Sequence, residues 1–414
     1  MQTNKNSVPR AAVICEYNPF HNGHLRQLEL IRARLGEECV ITAVMSGNFV
    51  QRGELASAPK YERAAAAVKC GCDLVLELPF PWSCASAEFF AGAGVSLVNA
   101  PGVFDILAFG CESLPPDMPF SMCNTVYTPA ESAVIARFHE YLARRGSAAP
   151  AGQPQRSEFG SKLRVTEAAY HEKYGSEAFY PTSPNDILAA EYIAALNKCN
   201  SHVVPLPLPR IRGLSATASR AAWKNAGKPA GDLSMREIQA LQALIPPATL
   251  EMCRSRGAPV SLERLGIALP MFFRLAEPAE LAKCCDADGG LAERLVASAR
   301  ESASPGELLK RASAKHLTSA RIRRAAIFAL LGTTYAELEE EPPYTLVLAA
   351  NTRGSALLRE LKKRSAVPVI TKPADYRLHN AAVTTAFERS LRADGVYQLA
   401  SGCGDSLKMT PYIK

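Results

Sequence analysis

The sequence predicts an α/β fold built on a doubly wound parallel sheet, and three features of the chain carry that reading. Apolar runs of strand length at residues 11–15, 38–45, 73–78 and 104–110 alternate with stretches of helical periodicity, the pattern of βαβ units. Several runs end in a polar, glycine-bearing loop, as strands do at the carboxyl edge of an open sheet. The 414 residues, 48% hydrophobic and 21% charged, suffice for two or three domains of an ordinary globular protein.

The first strand breaks at Asn18-Pro19, and Leu25, Leu28, Ile31 and Leu35 then set a helical period. His21 and His24 therefore stand at a helix entrance, where unpaired backbone N–H groups and the positive end of the macrodipole favour a phosphate. Three apart, both rings project to one side once the turn becomes helical, and both are able to donate hydrogen bonds to phosphoryl oxygens as charge builds there. Gly23 between them lets a ligand approach the backbone closely. The plain alternative is a pair of histidines that only cap a helix. That alternative fits an isolated His-x-Gly-His, but the strand before and the helix after supply the context a phosphate-binding turn requires.

Residues 38–45 form the second strand, and the loop over 46–54 belongs at the edge where ligands bind. Lys60 and Arg63 follow on a helix ending at Gly71, then come the strand 73–78, a helix over 85–98 and the strand 104–110. Gly110, closing that strand, reads equally as a simple turn or as a place where a base or ribose lies against backbone. After a helix over 131–145, residues 146–154 read as a Pro/Gly/Ala surface loop. Ser183 caps a helix with Pro184 at its first position, which puts Asn185 and Asp186 in the first turn, as capping groups or as ligand contacts. A strand over 202–208 leads to Arg210 and then to Ser215 and Thr217, a cluster opening a helix beside basic residues and hence another anion site.

From about residue 231 the pattern turns helical, over 235–245, 270–276, 291–302 and 310–331. The last of these carries Lys310, Arg311, Lys315, His316, Arg321, Arg323 and Arg324 against few acids, which is either a solvated face or a grip on an anionic polymer. A small α/β unit follows: a strand over 344–351, a helix over 354–364 ending in Lys362-Lys363-Arg364, and a strand over 368–372. The net charge of +7 is compatible with a nucleic-acid partner without establishing one. No stretch approaches the roughly 18 to 20 apolar residues of a membrane span, and the first residues lack the apolar core of a signal peptide, so a cytoplasmic location without membrane attachment is expected. The 12 cysteines, with no Cys-x-x-Cys pair, are then expected to be free thiols that form neither a disulfide framework nor a metal site.

Five motifs in this order, at residues 17–24 (Tyr-Asn-Pro-Phe-His-Asn-Gly-His), 46–54, 73–79, 109–112 and 184–188, resemble the tRNA(Met) cytidine acetate ligases. That family belongs to the nucleotidyltransferase superfamily with its H-x-G-H turn, and the resemblance extends over nearly the whole chain, including the basic helix at 321–325. It implies a Rossmann-like nucleotidyltransferase domain over 1–230 that binds ATP. It also implies a mostly helical C-terminal region over 231–414, with its small α/β unit, that binds tRNA. The implied reaction is activation of acetate with ATP and Mg²⁺ to acetyl-adenylate and pyrophosphate, followed by acetylation of N4 of the wobble cytidine in elongator tRNA(Met). Acetate is ionised at neutral pH, so attack on the α-phosphorus needs positioning and charge neutralisation rather than a base.

By the same resemblance His21 and His24 are catalytic. The implied ATP site comprises Ile14, Cys15, Glu16, Tyr17, Asn18, Pro19, Phe20, His21, Asn22, Gly23, His24, Leu25, Arg26 and Gln27, with Gly110, Asn185, Arg210, Ser215 and Thr217. The implied tRNA face comprises Lys315, Arg321, Arg323, Arg324, Lys362 and Lys363. The chain departs from the family after Arg210, where only residues 211–214 stand in place of a longer Gly-Tyr-His-containing linker, and where Ser219 replaces an apolar residue. Two other readings share the turn. A small-molecule adenylyltransferase leaves the C-terminal residues without a task, and an RNA-binding protein without turnover is at odds with the intact His21, Gly23 and His24. The sequence sets no oligomeric state.

Overall fold

Strand β1 (Arg10–Cys15) is apolar on both faces and lies inside an eight-stranded sheet, between β2 (Val40–Ser46) and β6 (Ile106–Cys111). The computed structural model describes residues 8–116, 127–145, 167–210, 213–225 and 234–414. The short strands β3 (Phe49–Val50) and β4 (Glu54–Leu55) form a separate antiparallel hairpin in the loop after β2. Then follow β5 (Leu74–Leu78), β7 (Val204–Pro209), β8 (Thr345–Ala350), β9 (Val369–Ile370) and β10 (Tyr412–Ile413). The spatial order is β10-β8-β5-β2-β1-β6-β7, with β9 beside β8. Every pairing within this eight-stranded sheet is parallel except that of β5 with β8.

The chain first winds one way, β1 to β2 to β5, then returns to the other side of β1 for β6 and β7. Strand order therefore reverses between β1 and β6, and an open α/β sheet has its ligand crevice outside the carboxyl ends of the two strands at such a switch point. The doubly wound parallel sheet expected from the alternation of strands and helices is present, and it positions the histidine turn at that crevice. Helix Asn22–Leu35 buries Leu28, Leu30 and Ile31 against the sheet and ends at Gly36, whose φ of 96° few other residues would accept.

Three features differ from the sequence reading. The small α/β unit does not stand apart: β8 pairs antiparallel with β5, Leu74 opposite Ala350 and Val75 opposite Ala349, so the C-terminal residues extend the first sheet. The single helix expected over 310–331 is two, Pro305–Arg311 and Ser319–Leu331, because Thr318 caps a new start by accepting from the Arg321 N–H at 3.3 Å. Helix Ala381–Ser401, absent from the sequence reading, packs its Asp394 onto Lys60, which also binds Glu77 of β5. The loop expected over 146–154 lies outside the described residues.

Candidate active site

Between β1 and its helix the backbone makes a tight turn. Tyr17 takes the left-handed conformation, φ 44°, and Asn18-Pro19 is cis. The Tyr17 ring is buried against Phe20, 4.7 Å between centroids, and against His24 at 4.9 Å, so the aromatic residues brace the turn from inside. His21 is the N-cap. Its Nδ1 accepts from the Gly23 N–H at 3.1 Å, while His24 Nδ1 accepts from the His21 N–H at 3.2 Å. A neutral imidazole that accepts at Nδ1 carries its proton on Nε2, so the backbone assigns both tautomers and leaves each ring an Nε2–H donor.

The two rings stack 3.7 Å apart. Burial pushes the His21 pKa down to about 4, with Arg210 adding to the effect, and burial followed by His21 and Arg210 pushes His24 well below its ordinary value. Both rings are thus neutral donors at pH 7. Gly23 serves a purpose the sequence did not disclose: a Cβ there would meet the His21 ring at 2.9 Å, so the glycine makes room for the capping histidine. The N–H groups expected to be unpaired at this helix entrance also find partners. Gly23 donates to His21, Asn22 donates to the Leu244 carbonyl at 2.8 Å, and His24 donates to the His21 carbonyl at 2.8 Å. The imidazole Nε2–H groups and nearby cations, rather than free amides, are the donors this turn leaves available.

The opposite wall is built by the end of β6. Gly110 faces open space, with nothing within 4 Å of where a Cβ would be. Glu112, two residues on, accepts from Arg210 Nη1 at 2.5 Å, Asn185 Nδ2 at 2.5 Å and Ser183 Oγ at 2.9 Å. The structure therefore brings Asn185 and Arg210 together, and it directs the Ser183 hydroxyl to Glu112 rather than to the helix it precedes. Asp186 is structural: it accepts from the Glu112 N–H at 2.9 Å and the Ser113 Oγ at 2.8 Å and so fixes the loop after β6. Ser215 caps helix Ala216–Asn225 by accepting from the Ala218 N–H at 3.1 Å, and Thr217 is exposed on its first turn.

Arg220, which no sequence motif singles out, is drawn into the site. It donates to the Asn18 carbonyl at 2.7 Å and pairs with Glu54 at 3.2 Å. Beneath the turn, fully buried Arg63 donates to the carbonyls of Glu16, Ser46, Gly47 and Ala58, tying the carboxyl ends of β1 and β2 together. Glu16 accepts at Oε1 from the Gln51 N–H at 3.0 Å; burial raises its pKa, and Arg220 opposes that rise.

The residues expected on an RNA-facing surface divide. Arg324 is buried and pairs with Asp286 at 2.6 Å, and Arg321 pairs with Asp288 at 2.6 Å. Arg323 reaches the Arg52 carbonyl at 3.1 Å and Glu54 at 3.6 Å. These arginines brace the fold at the edge that holds the crevice, which differs from the solvated cationic row the sequence suggests, whereas Lys315 is exposed. Lys362 and Lys363 are exposed on helix Thr352–Arg364, which is tied to residues at the opposite ends of the strands. Asn351 binds Asp73 ahead of β5, Arg353 binds Glu37 ahead of β2, Glu360 binds Arg10 of β1, and Arg364 binds Gly102 ahead of β6. Among the described residues no helix is long and apolar enough to cross a membrane.

A family model described as HIGH Nucleotidyl Transferase matches residues 9–408. The tRNA(Met) cytidine acetate ligase of Alkaliphilus metalliredigens is 32% identical over 414 aligned residues, covering 94% of this chain and 93% of its own length. The same-named protein of Thermoanaerobacter sp. strain X514 is 32% identical, covering 94% of both. The crystal structure of Thermotoga maritima TmcAL bound with alpha-thio ATP superposes with a TM-score of 0.81 at 26% identity, covering 98% of this chain and 99% of that one. With its histidine turn at the switch point and relatives that match 94% of it, the chain belongs to the HIGH nucleotidyl transferase family, in the enzyme group of the tRNA(Met) cytidine acetate ligases.

Proposed function

We propose that the chain activates acetate with ATP, releasing pyrophosphate and forming acetyl-adenylate, and then transfers the acetyl group to N4 of the wobble cytidine of elongator tRNA(Met). The observation that carries the first step is the stacked pair of neutral histidines whose protons are fixed on Nε2 at the carboxyl end of β1. An acetate oxygen attacks the α-phosphorus, the bond to the pyrophosphate oxygen breaks, and negative charge grows on the phosphoryl oxygens. His21 and His24 donate to those oxygens, and Arg210 and Arg220 neutralise the phosphates. Arg210 and Asn185 are held by Glu112 at 2.5 Å, so the incoming nucleotide takes over both groups from that carboxylate.

Gly110 leaves room for the nucleoside. Mg²⁺ enters this reading as a partner of the ATP phosphates, offsetting their charge. We assign activation to the residues up to about 230 and tRNA docking to those beyond, with Lys315 and the crevice edge near Arg323 as the RNA-facing side. Lys362 and Lys363 reach RNA only at a distance from the reacting base.

The test is to incubate the protein with isotopically labelled acetate, ATP, Mg²⁺ and elongator tRNA(Met), then digest the RNA and analyse nucleosides by mass spectrometry. The expected product is labelled N4-acetylcytidine from a single position. Acetyl-free tRNA, together with adenylyl transfer to a nucleotide monophosphate or other small acceptor, would establish the small-molecule adenylyltransferase instead.

A further inference from the structure

The transfer half of the reaction makes a chemical demand that activation does not. The N4 lone pair forms a bond to the acetyl carbonyl carbon, the C–O bond to phosphate breaks, and its electron pair leaves with AMP. The amine must also lose a proton, because a nitrogen conjugated with the cytosine ring holds a positive charge poorly. The histidines are unsuited to accept that proton. Both Nδ1 atoms already accept backbone N–H groups, and Nε2 carries the ring proton.

Other carboxylates at the crevice are occupied. Glu112 takes donors from Arg210, Asn185 and Ser183; Asp186 from Cys111, Glu112 and Ser113; and Glu54 lies between Arg220 and Arg323. Glu16 differs. It directly follows β1, its Oε1 accepts from the Gln51 N–H, and its Oε2 takes no hydrogen bond among the described residues. Arg220 links it to the turn, acting on Glu16 and on His21 alike.

We propose that Glu16 is the base of the transfer step, its Oε2 taking the proton from N4 as the acetyl group leaves AMP. This assignment rests on the function proposed above. The charged groups facing Glu16 are Arg220, Arg52, Arg63 and Glu54, and the titratable neutral ones are Cys15, Cys84 and Tyr192. Burial raises the Glu16 pKa and so strengthens the carboxylate as an acceptor, while Arg220 opposes the rise. The proton then passes to solvent, which restores the carboxylate for the next turnover.

The experiment supplies preformed acetyl-adenylate, so that activation is bypassed, and follows acetyl transfer to tRNA in single turnover across pH. The wild-type rate should rise with pH to a plateau as Glu16 ionises. Glu16→Gln keeps an oxygen for the Gln51 N–H and should transfer about a hundredfold more slowly, without the rising limb. Glu16→Asp should recover part of the rate and of the pH dependence, and thermal melting of each variant checks that the fold is intact. Transfer by Glu16→Gln at the wild-type rate and with the wild-type profile would overturn the assignment of Glu16. A wild-type protein that moves no acetyl group from acetyl-adenylate to tRNA would overturn the function itself, and the base with it.

Discussion

His21 performs two tasks with one ring, and a substitution separates them. Its Nδ1 caps the helix and its Nε2–H is the donor assigned to phosphate. Asparagine offers an oxygen near the position of Nδ1 and is a good cap, but it has nothing at Nε2. His21→Asn should therefore stay within about 1 kcal/mol of wild-type stability while acetate activation falls by about a hundred- to a thousandfold, as measured by denaturant unfolding and pyrophosphate release. The same ring makes stability depend on pH. The folded ring titrates near 4 and an ordinary histidine near 6.5, so the unfolded chain binds more protons between those values. The contribution is complete above about pH 6.5 and is lost as pH falls toward 4, and His21→Asn should flatten that part of the wild-type stability curve. The histidine turn was legible in the sequence because its strand, turn and helix are contiguous. The grip of Glu112 on Asn185 and Arg210 was not, since those partners lie 73 and 98 residues away and only the sheet order brings them together.

At the scale of elements, the helices with arginines and lysines show how far charge patterns read from sequence extend. A run of cations in the sequence does not reveal that Asp286 and Asp288 fold back to meet Arg324 and Arg321. Arg324→Glu removes a buried pairing and places two acids together, so it should destabilise the fold by about 3–5 kcal/mol in denaturant unfolding, and its loss of activity would say nothing about RNA. Lys315 is exposed in the segment between two helices. Lys315→Glu should leave stability within about 0.5 kcal/mol yet weaken tRNA binding and reduce its dependence on salt. Paired reversal at Lys362 and Lys363 should have the smaller effect, because their helix is tied to the amino ends of the strands. Equal losses from the two variants would place the RNA across both edges of the sheet. Strand and helix positions in the first half were legible from alternation and periodicity. The break before Ser319 was not, because Thr318 caps a new helix inside a stretch whose composition is helical throughout.

Across the whole molecule, the residues beyond 340 complete the sheet begun by the first 80. Buried Lys60 binds Glu77 at 2.8 Å and Asp394 at 2.9 Å, and Asp394 in turn accepts from Asn48 at 2.7 Å. One cation thus joins the loop after β2, the strand β5 and the last helix. Lys60→Met leaves two buried carboxylates without a counter-charge and should cost about 3–5 kcal/mol, with the far-ultraviolet and tryptophan signals still unfolding in a single transition. Separate transitions for the two halves would contradict this joint sheet. Sequence periodicity located β8 but not its partner, because pairing an antiparallel strand onto a parallel sheet is decided by an edge formed some 270 residues earlier. What the histidine crevice activates is measured directly by acetate-dependent exchange of labelled pyrophosphate into ATP, run without tRNA. Exchange that appears only when acetate is added is the predicted result, and exchange that is absent with acetate, or that proceeds equally without it, would contradict acetate activation in this crevice.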